Sequence, residues 1–124
     1  MKILVIEDTL LAREKAGRAL RELGHEVILA YDGDDGLRKF KDENPDAVIT
    51  DINMPYMDGV EAIRLMRKVN ANAQIFVCSG SADRDQIKQA LQAGASDILP
   101  KPLSMEQVKV VLSQVERRKP KFLI

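Results

Sequence analysis

Five short apolar runs, at residues 3–6, 26–30, 47–50, 75–78 and 98–99, alternate along this chain with longer stretches whose apolar residues recur at helical spacing. That rhythm constrains the fold more than any other feature. Short, branched, apolar strands that each precede a helix build a parallel sheet with helices on both faces, an α/β architecture. Right-handed crossovers leave few topologies open. Such sheets take their ligands beyond the carboxyl ends of the strands, where the strand order reverses.

The intervening stretches have readable ends. The first helix is predicted over residues 10–23, with Ala12, Ala16, Ala19, Leu20 and Leu23 on one face and Gly24 as its stop. The second, over 32–41, turns Leu37 and Phe40 inward and ends ahead of Pro45. A loop marked by Pro55 and Gly59 leads to a third helix carrying Val60, Ile63, Met66 and Val69. The fourth, over 83–93, is started by Asp83 and Asp85, carries Ile87, Ala90 and Leu91, and stops at Gly94. The last opens at Ser104, whose side chain caps the helix while Gln107 reaches back. Its core stripe is Met105, Val108, Leu112 and Val115, with Val110 and Val111 off that stripe.

At 124 residues the chain is sized for one domain, expected over 1–118 with a tail at 119–124. Nineteen basic and 19 acidic residues cancel, so no overall field draws nucleic acid or an anionic membrane. Cys78, the one cysteine, forms no internal disulfide and reads as an inert core residue. His25, the one histidine, falls in a turn before the second strand and reads as exposed. The apolar run at 3–6 stops at Glu7, too short for a signal peptide or a membrane span, so a cytoplasmic location is expected.

The carboxyl ends of the predicted strands carry the chemistry. The first ends in Glu7-Asp8, the third in Asp51, the fourth in Ser79-Gly80 and the fifth in Lys101-Pro102. Each alone would pass for a solvated turn. In a parallel sheet all four finish on one edge, so three acids, a hydroxyl and a lysine converge. Three close carboxylates repel unless a proton or a cation sits among them. The ligands on offer are oxygens, which select a hard cation, and few protein ligands plus water and phosphate suit Mg²⁺ better than Ca²⁺. A carboxylate can attack phosphorus to give an aspartyl phosphate. A lysine and a metal can hold the phosphoryl oxygens as charge develops. The set is a coherent phosphoryl-transfer site.

In the order and spacing of Glu7-Asp8, the run from Asp51 to Gly59, Ser79-Gly80 and Lys101-Pro102, the chain resembles a response-regulator receiver domain, of the kind that works with histidine kinases. The resemblance covers residue 3 to about residue 118. It implies a flavodoxin-like, doubly wound (βα)5 fold with strand order 2-1-3-4-5. It makes Asp51 the phosphoacceptor, with Mg²⁺ bound by Asp8 directly, by Glu7 through water, by Asp51, and by the backbone carbonyl of Asn53. Ser79 is expected to bond a phosphate oxygen. Lys101 is expected to pair with Asp51, reaching roughly 10 Å across two strand positions. The Lys101–Pro102 bond is expected to be cis. Such a domain is a switch, not an enzyme: it catalyses only its own phosphorylation and dephosphorylation. Its partners would be a sensor histidine kinase or a histidine phosphotransfer domain, and a downstream protein on the face of the fourth helix, fifth strand and fifth helix. A homodimer is compatible with the same resemblance.

Three positions depart from the family's pattern. The acidic pair is Glu7-Asp8 where Asp-Asp is commoner, the hydroxyl is Ser79 where threonine is frequent, and Ile98 stands where an aromatic often turns inward on activation. Ile98, Val110 and Val111 then suggest an apolar partner surface that reads the signal through packing. Three other readings stay open: a receiver that is part of a longer regulator with an output domain, an Mg²⁺-dependent aspartyl phosphatase, and a receiver-like domain that is never phosphorylated. Asn53 stands where such phosphatases usually place a second acid.

Overall fold

The computed structural model describes residues 1–54, 57, 59–80 and 84–118. Five strands, β1 (Lys2–Ile6), β2 (Glu26–Ala30), β3 (Ala47–Asp51), β4 (Gln74–Ser79) and β5 (Asp97–Pro100), alternate with five helices. The helices are α1 (Leu10–Glu22), α2 (Gly33–Glu43), α3 (Gly59–Val69), α4 (Arg84–Ala93) and α5 (Met105–Arg118). The strands form one sheet in the order β2-β1-β3-β4-β5, all pairs parallel, which is the order the family resemblance implies. The order reverses between β1 and β3, so the crevice for a ligand opens between their carboxyl ends.

Alternation along the strands sends side chains into two cores. Ile3 and Val5 of β1 join Ile49, Phe76, Leu20 and Leu112 on the side of α1 and α5. Leu4 and Ile6 join Val48, Ile75, Ile63 and Met66 on the side of α2, α3 and α4. Every residue of β3 is buried. Each aliphatic side chain so buried contributes roughly 1.5–3 kcal/mol.

The helix ends follow the predicted stops, with adjustments. Gly24, with φ of 92°, and Gly94, with φ of 116°, take left-handed backbone just past α1 and α4. Asp32 is the cap of α2, its carboxylate accepting from the Asp35 N–H at 2.8 Å, rather than its first residue. The helix runs two residues beyond the predicted end, because Asn44 adopts φ of 47° and closes it immediately before Pro45. Ser104 accepts from the Gln107 N–H at 3.5 Å at the start of α5, as the capping pattern implies.

Several side chains depart from expectation. Val69 is exposed: it lies nine residues after Val60, and at about 100° per residue that is the opposite side of the helix. Ala12 is also exposed; α1 buries Gly17 and Leu20. Val111 is buried at 5% exposure, since it sits three residues from Val108 and four from Val115, within the width of a core-facing stripe. Val110 is exposed at 58% and Ile98 is half-buried against the core, so the three do not form one exposed apolar cluster. His25 is half-buried, its Nδ1 3.1 Å from the Met1 amine. The predicted helix start at Asp83 and the 119–124 tail lie outside the described residues. Among the described residues no helix is long and apolar enough to cross a membrane.

Candidate functional site

Strand register decides what meets at the carboxyl edge. Ile6 pairs with Thr50, Asp51 with Cys78 and Ser79 with Pro100. One residue past each pair come Glu7, Asp51, Ser79 and Lys101. The apolar strands bury themselves up to this line, and the first polar residue of each emerges on the same rim.

Glu7, Asp8 and Asp51 each offer a carboxylate oxygen, and these oxygens lie within 4.8 Å of one another. Asp51 is buried, Glu7 half-buried and Asp8 exposed, so the cluster opens outward. Lys101 reaches back over β4 to put Nζ 2.8 Å from Oδ2 of Asp51 and 3.5 Å from Oε2 of Glu7. Its bond to Pro102 is cis, as the resemblance implied. The backbone N–H of Lys101 donates to the Ser79 carbonyl at 3.1 Å, fixing where the lysine leaves the sheet. Ser79 is buried at the end of β4, beside the strand that carries Asp51. The Asn53 N–H donates to Oδ1 of Asp51 at 3.3 Å. Each oxygen of Asp51 thus has a donor.

The electrostatics are those of an acid cluster into which the Lys101 ammonium reaches. Burial raises the pKa of Glu7, and the charge of Asp51 raises it further against the opposing pull of the Thr9 N–H and Lys101. For Lys101 burial acts to lower the pKa, but the hydrogen bond and charge of Asp51, with Glu7, raise it on balance. Lys101 therefore holds its proton. Three carboxylates against one ammonium leave negative charge over, and an all-oxygen donor set fits a hard divalent cation.

Two residues at the site were not singled out from the sequence. Arg13 donates from Nη1 to the Glu7 carbonyl at 2.8 Å and pins the loop that carries both N-terminal acids. Gln86, in the first turn of α4, donates from Nε2 to Oδ1 of Asn53 at 2.8 Å. Neither lies at a strand end, so the pattern that found the others passes over both. A lone arginine or glutamine on a helix carries no signal in one sequence.

A family model described as the response regulator receiver domain matches residues 3–113. The chain is 32% identical over 117 residues to the chemotaxis protein CheY of Thermotoga maritima, covering 94% of this chain and 98% of that one. It is 35% identical over 118 residues to response regulator MprA of Mycobacterium avium, covering 95% of this chain and 52% of that protein. The chain thus spans about half of that relative. Among solved structures, a response regulator receiver domain from Clostridium thermocellum superposes with a TM-score of 0.90 at 29% identity, covering 94% of both chains. The receiver domain of a sensor histidine kinase from Pseudomonas aeruginosa PAO1, with a magnesium ion coordinated in its active site cleft, superposes with a TM-score of 0.84 at 29% identity, covering 91% of this chain and 94% of that one.

Proposed function

The chain belongs to the response regulator receiver family, the phosphorylation-dependent switches of two-component signalling, and on that premise we propose that Asp51 accepts the phosphoryl group. The observation that carries this reading is the Lys101 ammonium 2.8 Å from a buried carboxylate that also shares a cluster with two further acids. An oxygen of Asp51 forms the bond to phosphorus as the bond from phosphorus to the donor breaks, and the donor leaves with that electron pair. Lys101 stays protonated and exchanges its partner from carboxylate to phosphoryl oxygen, so it acts as a charge and not as a proton donor. Ser79, at the end of the neighbouring strand, donates its hydroxyl to a phosphoryl oxygen.

Mg²⁺ fits the donor set. Asp8 and Asp51 would hold it directly, Glu7 through water and Asn53 through its carbonyl. When bound it supplies positive charge to the phosphoryl oxygens. The receiver domain that superposes with magnesium in its cleft supports the same choice of ion. The domain spans residues 1–118, and its catalysis is confined to its own phosphorylation and dephosphorylation.

The donor would be a sensor histidine kinase or a histidine phosphotransfer domain. Output would pass to a protein partner on the face of α4, β5 and α5, where Val110 is exposed at 58%. The half-length match to MprA favours a second reading, in which the domain works within a longer regulator that has an output domain.

The test is intact-protein mass after incubation with Mg²⁺ and acetyl phosphate. One added phosphoryl on the wild type, and none on Asp51→Asn, is the expected result. No addition to a folded, Mg²⁺-bound wild type would overturn the reading and point to a receiver-like domain that is never phosphorylated.

A further inference from the structure

We propose that Gln86 is a positioning residue that couples the state of Asp51 to the first turn of α4 through Asn53. The inference rests on the reading of Asp51 as the phosphoacceptor. Asn53 faces two ways. Its main-chain N–H donates to Oδ1 of Asp51 at 3.3 Å, and its side-chain Oδ1 accepts from Nε2 of Gln86 at 2.8 Å. A single residue therefore joins the acceptor carboxylate to a helix on the partner face.

Phosphorylation changes the first of these bonds. One oxygen of Asp51 gains the bond to phosphorus. The other becomes the carbonyl oxygen of an acyl phosphate and gives up most of its negative charge. Hydrogen bonds to a charged acceptor are roughly twice as strong as those to a neutral one, so the hold on the Asn53 N–H weakens. The Asn53 backbone then settles differently, and its side chain no longer meets Gln86 in the same place.

The helix that receives this change is held lightly. Of the residues of α4, Ala90 alone is buried. Its far end is pinned: Arg67 donates from Nε and Nη2 to the Gly94 carbonyl at 2.8 and 2.6 Å. Its near end carries Gln86 beside a half-buried Ile87. A segment with little buried apolar surface is the kind that opens at low free energy, so one hydrogen bond there counts for much of the local order. With one end pinned and the other tethered to the site, the first turn is the part of α4 that moves. On β5 the neighbouring Ile98 is aliphatic and half-buried against the core, so this route does not depend on an aromatic ring there.

Coupling is reciprocal: what the acceptor does to the tether, the tether does to the acceptor. The size follows from a single neutral hydrogen bond, about two- to tenfold in a local equilibrium.

Amide hydrogen exchange of the whole chain in Mg²⁺, with and without acetyl phosphate, tests this in wild type, Gln86→Leu, Asn53→Ala and the double variant. Intact mass and thermal unfolding establish that each variant is phosphorylated and folded. In the wild type, phosphorylation should speed exchange over residues 84–90 by about two- to tenfold. In each single variant and in the double, exchange there should be fast beforehand and respond weakly. The double should match Gln86→Leu, because Asn53→Ala removes nothing from this tether that Gln86→Leu has not already removed. A Gln86→Leu protein whose first turn responds to phosphorylation as the wild type does would overturn the coupling while leaving Asp51 as acceptor. So would single effects that add in the double. A wild type that takes up no phosphoryl overturns the function and the coupling with it, and mass alone tells that case apart.

Discussion

Lys101, the residue just past the edge strand β5, and Asp51, the last residue of the central strand β3, lie on either side of β4 and are joined by a 2.8 Å ion pair. Two strand spacings are roughly 10 Å, a span that only a long side chain closes. The pair sets one ammonium against an acid cluster. Lys101→Met keeps the stem and removes the charge, leaving Glu7, Asp8 and Asp51 to repel one another. The metal-free variant should lose about 1 kcal/mol, a modest figure because Lys101 is partly exposed. Mg²⁺ should then stabilise the variant more than it stabilises the wild type, while phosphorylation by acetyl phosphate slows at least about tenfold. Thermal unfolding with and without Mg²⁺ reads the first two effects. Equal melting temperatures without metal would remove Lys101 from the charge balance.

Metal binding should itself be visible as stability. An ion that binds the folded site and not the unfolded chain adds RT ln(1 + [L]/Kd), about 1.4 kcal/mol at ten times Kd. Millimolar Mg²⁺ should raise the unfolding midpoint of the wild type, and EDTA should reverse the rise. Asp8→Asn and Asp51→Asn should each reduce it, since each removes one charge from the cluster. An unchanged Mg²⁺ effect in both variants would place the ion elsewhere.

Gly59 holds α3 against the end of β3. A Cβ there would lie 2.6 Å from the Asp51 carbonyl oxygen and 2.7 Å from Cα of Ile52, and backbone atoms cannot swing aside as a side-chain tip can. The Gly59 N–H also donates to the Ile52 carbonyl at 2.9 Å. Gly59→Ala should cost about 2 kcal/mol or more and slow phosphorylation at Asp51, because the shift falls on the strand end itself. Gly80→Ala is the control: its Cβ would have the Lys101 side chain as its nearest contact among the described residues, at 3.4 Å. Urea unfolding of the two variants separates a backbone clash from a general intolerance of alanine near the site.

The fold was legible because strand burial and helix stops are written locally. Apolar runs ended by an acid, a hydroxyl or a lysine gave both the sheet and the rim, and the rim gave Glu7, Asp8, Asp51, Ser79 and Lys101. The strand order came from the family resemblance, since five buried strands of similar composition do not order themselves. What failed was fine angular placement. Spacing alone puts Val69 on the core stripe and Val111 off it, yet a spacing of three drifts about 60° each step while a stripe is more than 100° wide. Gln86 was invisible for a different reason. Its role depends on a contact with a residue 33 positions away, and nothing in either neighbourhood announces it.

Cys78 should be unreactive in the native protein. Burial pushes its thiol up to about 12, with the charges of Asp51 and Glu7 acting in the same direction and Lys101 opposing them. Against an ordinary cysteine that leaves on the order of a thousandfold less thiolate at pH 8, before access is counted. Reaction with a disulfide reagent should therefore follow unfolding, rising in urea in step with the unfolded fraction. Rapid labelling of the folded protein would show a thiol far less shielded than its 6% exposure indicates.

Asp35 should tie stability to pH. Its side chain is 1% exposed, accepts from Lys39 Nζ at 3.0 Å and from the Tyr31 N–H at 3.3 Å, and is paired with Arg38. Burial acts to raise its pKa, but the bonds from Lys39, Arg38 and Tyr31 outweigh it and lower the pKa on balance. A carboxylate held lower in the folded state than in the unfolded one contributes stability at pH values above the unfolded pKa, about 4. That contribution fades as pH falls through the folded value. Asp35→Asn keeps the shape and loses the charge, so it should be the less stable protein at pH 7, with the gap closing below about pH 4. The raised pKa of Glu7 works with the opposite sign, but it is present in both proteins and cancels in the difference. Urea midpoints of the two proteins at pH 7 and pH 3 make the measurement. A gap that stays constant across that range would mean that Asp35 is held for its shape and hydrogen bonds and not for its charge.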